Sequence, residues 1–217
     1  MRTDVKRRGW TISAEGNDLA DRFLESVFFT GNGRMGARGY PAYRPIRRPL
    51  DAGLFLAGFY DRISDSTELT DFVNLPTPIW YQIRLNGRIP AIPSHLSRAL
   101  DLRTGLLTFR YRLSIADDWV DVQEQRFFSL AKPSILFLRL EFQGRGQVEL
   151  LAGMDHQSCN SPIPDDQVKE NSQIIQMTRF CSGEATDAGF TARYKTNHTR
   201  LELAQTVSCR TEGFSSP

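Results

Sequence analysis

Cysteine is scarce in this chain: three in 217 residues, at 159, 181 and 209, with spacings that match no set of metal ligands. An odd number of thiols with no apolar leader before them is the pattern of a reduced, cytoplasmic protein rather than a disulfide-stapled one. The segment from Met1 to Trp10 is basic but has no apolar centre, so it does not read as a secretory signal. No run approaches the roughly 20 apolar residues of a membrane helix, which argues against a membrane partner. Histidine is equally sparse. His95, His156 and His198 fall in separate segments without the spacing of a zinc site, so neither a metal nor a cofactor is expected. The formal charge of +2 is small for a nucleic-acid binder. Lysine occurs only four times against 23 arginines. Arginine suits bidentate recognition of carboxylate and phosphate, although genomic codon bias explains the same excess.

What is present is an ordinary folded composition, 40% hydrophobic and 24% charged, patterned with a period of two. Leu107, Phe109, Tyr111 and Leu113 share one face of a strand, and Thr108, Arg110 and Arg112 share the other. That is a half-buried strand. Leu136, Leu138, Leu140 and Phe142 repeat the theme. Ile135 and Phe137 make the start of that strand apolar on its second face too, which predicts a more central position. Tyr81, Ile83 and Leu85 run into Asn86-Gly87, a tight-hairpin signal. Further strands are expected near 119–128, 147–152, 173–178, 190–195 and 200–208. Turns are expected at Thr104-Gly105, Ala116 to Asp118, Lys132-Pro133, Gly144 to Gly146, Ser161 to Asp166 and Ser182-Gly183. Only Asn17 to Phe28 reads as helical, with Leu19, Phe23 and Val27 four apart and Asn17 or Asp18 as the cap. The reading is a single all-β domain over 1–217, an antiparallel sandwich with a short N-terminal helical segment.

Several local patterns invite chemistry. Gly31-Asn32-Gly33-Arg34-Met35-Gly36 matches a dinucleotide-binding glycine pattern, which needs a strand before it and a helix after it. Gly39 and Pro41 would break that helix, so the closely spaced glycines are read as a sharp structural turn. Arg34, Arg38, Arg44, Arg47 and Arg48 follow with no acid among them. They form either a surface for an anion or acidic partner, or a solvated loop kept extended by Pro41, Pro45 and Pro49, the plainer reading. Asp61, Asp65, Glu68 and Asp71 could pair with that loop. The neighbouring pairs Asp117-Asp118 and Asp165-Asp166 sit in turns and are poor candidates for paired acid–base carboxylates. Met154 to Asn160 is polar after an apolar strand, which leaves a site-lining loop or a simple turn open.

In order, the motifs add up. Glu25-Ser26 leads to Gly31-Asn32-Gly33-Arg34-Met35-Gly36-Ala37-Arg38-Gly39, followed by Gly58-Phe59-Tyr60-Asp61 and Asn74-Leu75-Pro76. Leu100-Asp101-Leu102-Arg103-Thr104-Gly105-Leu106-Leu107, Gln125 to Pro133, and Gly153-Met154-Asp155-His156 to Asn160 complete the series. The series resembles the N-terminal region of glycoside hydrolase family 65, which includes maltose, kojibiose and trehalose phosphorylases. The resemblance implies a sandwich similar to galactose mutarotase, a supersandwich. In the family it is followed by a helical linker and an (α/α)₆ barrel bearing the catalytic acid, the phosphate site and most sugar contacts. No catalytic residue therefore carries over to this chain. The alternation near Leu201 to Val207 points to a chain that stops short of the last sandwich strands.

On that resemblance the parent enzyme acts on an α-glucosidic disaccharide by inverting phosphorolysis or hydrolysis, with inorganic phosphate as co-substrate in the first case. The partner of this domain is then its own barrel, and its tasks are to support that barrel, shape the cleft rim and offer a homodimer surface. Gly31, Asn32, Gly33, Gly36, Arg38 and Gly39 form the structural motif. Arg34, Arg44, Arg47, Arg48, Asp155, His156 and Asn160 are the candidates for facing the barrel or cleft. Two alternatives stand beside this. One is a carbohydrate-binding sandwich using Trp10, Trp80 or Trp119 as a sugar platform. The other is a mutarotase-like enzyme using one of the histidines with Glu124 or Glu141.

Overall fold

The computed structural model describes residues 4–16, 22–43, 53–65, 68–91, 93, 95–156, 158–160, 176–186 and 188–212. The chain opens with β1 (Lys6–Arg8) and β2 (Thr11–Gly16), then α1 (Arg22–Val27). Short strands follow: β3 (Thr30–Gly31), β4 (Met35–Ala37), β5 (Leu54–Leu56), β6 (Tyr60–Arg62) and β7 (Thr70–Phe72). Next come β8 (Tyr81–Leu85), β9 (Leu96–Asp101) and three long strands, β10 (Leu106–Ile115), β11 (Asp118–Phe128) and β12 (Leu136–Arg145). Four more complete the order: β13 (Val148–Ala152), β14 (Thr178–Thr186), β15 (Gly189–Thr196) and β16 (Glu202–Ser208).

The main sheet has six strands in the order β1-β2-β9-β10-β11-β12, every pair antiparallel. Its inner face is the alternation read from sequence: Leu107, Phe109, Tyr111 and Leu113 of β10 are buried, and Val120 and Val122 of β11 join them. They pack in one core with Tyr81 and Ile83 of β8, Leu54 of β5 and Ala37 of β4, the opposing layer of the sandwich. Each buried Leu, Ile, Val or Phe among them stabilises the fold by about 1.5–3 kcal/mol. The other described strands form smaller sheets, β13-β8, β14-β15-β16, β3-β4-β5 and β6-β7.

The tight Asn-Gly turn forms as expected, closed by a single bridge between Leu85 and Arg88, while β8 itself pairs with β13. Asn86 and Gly87 take φ of 52° and 73°, and Leu85 and Arg88 exchange both backbone hydrogen bonds, at 2.8 and 3.1 Å. Three expectations need correction. The Ile135–Phe142 strand, β12, lies at the edge of its sheet, not at the centre. Its second apolar face is met sideways, Phe137 stacking on Phe127 with ring centroids 5.0 Å apart, and Phe137 stays 48% exposed. Within α1 the inward stripe is Leu24 with Phe28 just beyond, while Phe23 points out at 53% exposure. The caps and Leu19 lie outside the described residues. Ser182-Gly183 is no turn: β14 runs through it with a bulge between Phe180 and Ser182. Residues 173–175 of the strand expected at 173–178 and the turn at 161–166 lie outside the described residues, and β14 begins at Thr178.

Candidate functional site

The glycine motif folds as a short hairpin rather than a nucleotide loop. Thr30 pairs with Ala37 and Gly31 with Gly36, and among the described residues no helix follows. The Asn32 side chain organises the turn: its Oδ1 accepts the backbone N–H of Arg34 (3.0 Å) and Met35 (2.8 Å). Its Nδ2 donates to the carbonyls of Ser129 (2.7 Å) and Pro133 (3.0 Å), which pins the hairpin to the β11–β12 connection. Gly33 has φ of 85°. At Gly39 the chain passes so close to Phe28 that no Cβ fits. Gly39 N–H donates to the Glu25 carbonyl at 2.7 Å, and Arg38 ties into the same place. The Arg38 guanidinium donates to Ser26 Oγ at 3.1 Å and stands 3.4 Å from Glu25, itself buried. Arg38 is thus held by an internal partner, a third outcome beside the anion surface and the solvated loop. Arg34 is exposed, and Arg44, Arg47 and Arg48 lie outside the described residues.

Below this hairpin sits a fully enclosed charged pair, Glu124 and Arg126 of β11, both 0% exposed and 3.7 Å apart. Arg126 lies between the rings of Tyr40 (5.1 Å) and Phe109 (5.2 Å) and donates to the Arg38 carbonyl at 2.6 Å. Glu124 accepts the Ala42 N–H at 2.8 and 3.1 Å and the Tyr81 hydroxyl at 3.1 Å. Tyr81 also contacts the Tyr111 hydroxyl. Burial, with the neighbouring phenol and the Glu124 charge, raises the Tyr81 hydroxyl well above its ordinary pKa; burial and the Glu124 charge do the same for Tyr111. The cluster therefore stitches residues 38–42 to the main sheet. Sequence reasoning missed Arg126 as a structural residue. The signal was there: Glu124 and Arg126 occupy the inward positions of an alternation otherwise filled by Val120, Val122 and Phe128.

A second enclosed carboxylate, Asp61 (0% exposed), joins β6 to the β15–β16 turn. It accepts the N–H groups of Asn197 (2.9 Å), His198 (3.1 Å) and Thr199 (2.7 Å). Nearby, His198 Nδ1 meets Asp65 Oδ1 at 2.8 Å and, by that bond and its charge, lowers the Asp65 carboxyl. Asp61 and Asp65 of the acidic stretch thus serve the β15–β16 turn. Burial alone would raise the Asp61 pKa, but the N–H donors of Thr199 and His198 outweigh it, and the net direction is down. A depressed folded-state pKa contributes stability above the unfolded value, near 3.8, that fades as pH falls through the lower folded value. Asp61→Ala is expected to cost about 2–3 kcal/mol at neutral pH, because it leaves N–H groups without their charged acceptor. Urea titrations from pH 7 to pH 3 should show the difference between the two proteins shrinking in acid; a constant difference would contradict the role.

The polar 153–160 segment acts as a clasp. Asp155 and Thr77 exchange backbone hydrogen bonds, both 2.9 Å. Asn160 Oδ1 accepts the Asn74 N–H (2.9 Å), and its Nδ2 donates to the Phe72 carbonyl (2.6 Å) and Asp71 Oδ2 (3.1 Å). His156 is exposed, its ring 5.8 Å from Phe180. Asp118 is engaged by Asn86 (2.5 Å) and Arg145 (3.5 Å), while Asp165-Asp166 lies outside the described residues. The histidine–glutamate pairs of the mutarotase reading do not assemble at a surface. Glu124 is sealed in the core, Glu141 holds Arg139 and Gln123, and His198 holds Asp65. Of the tryptophans, Trp10 is open at 59% exposure, Trp80 lies half-buried beside Gly153, and Trp119 sits under Arg112. Among the described residues no three metal-ligating side chains cluster, and no helix is long and apolar enough to cross a membrane.

The motif residues of this antiparallel sandwich are turned inward and tie its strands and loops to one another. The profile of the N-terminal domain of glycosyl hydrolase family 65 matches residues 14–217, and the chain belongs to that family. It is 25% identical over 123 residues to the trehalose 6-phosphate phosphorylase of Lactococcus lactis, covering 52% of this chain and 16% of that protein. It is 27% identical over 146 residues to an uncharacterized glycosyl hydrolase of Mycobacterium tuberculosis, covering 62% of this chain and 11% of that one. A solved structure described as "Putative kojibiose phosphorylase from human microbiome" shares the fold, with a TM-score of 0.73 at 15% identity. That match covers 92% of this chain and 27% of the other. The chain thus spans a small part of the length of these longer relatives.

Proposed function

We propose that this chain is the non-catalytic N-terminal sandwich of a cytoplasmic family 65 enzyme that cleaves α-glucosidic disaccharides by inverting phosphorolysis. Its own work is to support the catalytic barrel and shape the rim of its cleft. The observation that carries this reading is the inward engagement of the family-motif side chains. Asn32, Arg38, Asp61, Asn74, Arg126 and Asn160 are all spent on joining one strand or loop to another. A glycosidase site needs an acid placed to protonate the leaving oxygen, and a hydrolase needs a second carboxylate to activate water. The two fully enclosed carboxylates, Glu124 and Asp61, are committed to backbone N–H groups and cannot meet a sugar. Phosphorolysis is preferred to hydrolysis on the names of two of the relatives, the Lactococcus trehalose 6-phosphate phosphorylase and the putative kojibiose phosphorylase. Phosphate brings its own nucleophilic oxygen, so a single acid, placed in the barrel, is enough.

The purified chain, incubated with inorganic phosphate and maltose, kojibiose, trehalose or trehalose 6-phosphate, is expected to release no phosphorylated sugar and no free glucose. Turnover of any of the four would overturn the assignment of a supporting domain.

A further inference from the structure

The same tripeptide occurs twice in this chain, as Asn32-Gly33-Arg34 and as Asn86-Gly87-Arg88, and the fold treats the two copies differently. Asparagine before glycine is chemically labile, because glycine has no side chain to shield its amide nitrogen. That nitrogen attacks Cγ of the asparagine, the Cγ–Nδ2 bond breaks, and ammonia leaves carrying the glycine amide proton. One water then opens the cyclic imide at either carbonyl. The product is aspartate, or isoaspartate in which the main chain runs through the side-chain carbonyl. Water is the one co-reactant, and nothing is oxidised or reduced. The fold controls whether the side-chain amide can turn towards that nitrogen.

Asn32 is half-buried, and both ends of its amide are held twice. Its Oδ1 accepts the N–H groups of Arg34 and Met35, and its Nδ2 donates to the carbonyls of Ser129 and Pro133. Asn86 is exposed, and among the described residues each end of its amide is held once. Its Nδ2 donates to Asp118 Oδ2 at 2.5 Å, and its Oδ1 accepts the Gln147 N–H at 2.8 Å. Those two bonds fasten three turns together: the one after β8, the one between β10 and β11, and the one between β12 and β13. Each turn contains left-handed backbone, with φ of 52° at Asn86, 51° at Ala116 and 107° at Gly146. Arg145 stands 3.5 Å from the same Asp118. The Asn86 N–H also donates to the Gln147 carbonyl at 2.8 Å, one rung beyond the Leu85↔Val148 pair of the β8–β13 ladder. An aspartate at position 86 offers Asp118 no donor and sets a second negative charge against it. An isoaspartate lengthens the main chain of the turn and breaks the added rung.

We propose that Asn86 is a self-modification site, at which the folded chain loses ammonia and its three-turn junction comes undone, while the fold keeps Asn32 intact. Asp118 sets the rate, because its carboxylate holds the nitrogen that must leave. The purified chain is aged at mildly alkaline pH and mapped by peptide mass spectrometry, with the aspartate and isoaspartate forms separated. Conversion at Asn86 should run roughly tenfold faster than at Asn32, the factor that one hydrogen bond to a charged group or two neutral ones accounts for. In denaturing urea the two identical tripeptides should convert at similar rates, which assigns the difference to the fold. Asp118→Ala should speed conversion at Asn86 several-fold and leave Asn32 unchanged. Asn86→Asp, which reproduces the aspartate product, should lower the melting temperature by roughly 2–4 °C. Adding Asp118→Asn, which supplies the donor from the other side, should restore it. An Asn86 that stays intact in the folded chain while both tripeptides convert in urea overturns the proposal. So does conversion at Asn32 that keeps pace with Asn86, or an unchanged rate at Asn86 in Asp118→Ala.

Discussion

Glu124→Gln is expected to lower the stability of this domain by about 3–5 kcal/mol, the usual cost of removing one partner from a fully buried charge pair. The substitution keeps the shape of the side chain and an oxygen for the Ala42 N–H, but it removes the negative charge 3.7 Å from Arg126. The guanidinium then remains in the core between Tyr40 and Phe109 without that compensation. For a chain of this length the loss corresponds to a melting temperature lower by roughly 6–20 °C. The mirror variant, Arg126→Met, leaves Glu124 buried without its cation and should cost a similar amount. Because each single change strands the other member of the pair, the double variant should cost clearly less than the sum, with a coupling of about 1 kcal/mol or more. Urea unfolding followed by tryptophan fluorescence gives all three values. Strict additivity would show that the two charges do not act as a unit.

Gly39→Ala is expected to be nearly as damaging, at about 3 kcal/mol, for a steric reason. An added Cβ would stand 2.3 Å from Phe28 Cβ and 2.6 Å from the Phe28 carbonyl oxygen. Neither atom is the end of a flexible side chain, so backbone must move, and it is held there by the Gly39 N–H bond to Glu25. Gly33 gives the contrast. Its φ of +85° disfavours a side chain, yet a Cβ there meets nothing within 4 Å. Gly33→Ala should therefore cost only about 1–2 kcal/mol, the penalty of left-handed backbone alone. At Gly36 the obstacle is the ring of Phe29, 2.5 Å away but 45% exposed and able to swing aside. The order of melting temperatures should be wild type, then Gly33→Ala and Gly36→Ala, then Gly39→Ala well below. Equal melting of Gly39→Ala and Gly33→Ala would contradict the close-approach account.

Much of the architecture is legible in the sequence because a half-buried strand writes its burial as alternation. β10 is read correctly residue by residue, since its inner and outer faces differ sharply in polarity. β12 misleads for the same reason: apolar residues on both faces imply cover on both sides, whereas Phe137 is met by a lateral neighbour in the same sheet. The helix shows another limit. The spacing of Leu19, Phe23 and Val27 is genuinely helical, but a helix of six described residues has two adjacent apolar stripes, and packing selects the one through Leu24. The turn role of the glycine motif is readable from Gly39 and Pro41. What ties it down is not, because Ser129 and Pro133 lie about a hundred positions away from Asn32. Arg126 hides for a related reason: a charged residue reads as solvent-facing until the phase of its strand is taken seriously.

The Asp61 junction also bears on how the chain is made. The carboxylate and the Asn197 N–H that it accepts are 136 residues apart. At roughly 5–20 residues per second, a ribosome needs about 7–27 s to travel between them. Through that interval the β6 carboxylate has no donor from the β15–β16 turn and must keep its water. The layer around β6 therefore closes only when the last described strands have left the exit tunnel. Until then the nascent sandwich lacks the contacts that Asp61 makes to the β15–β16 turn.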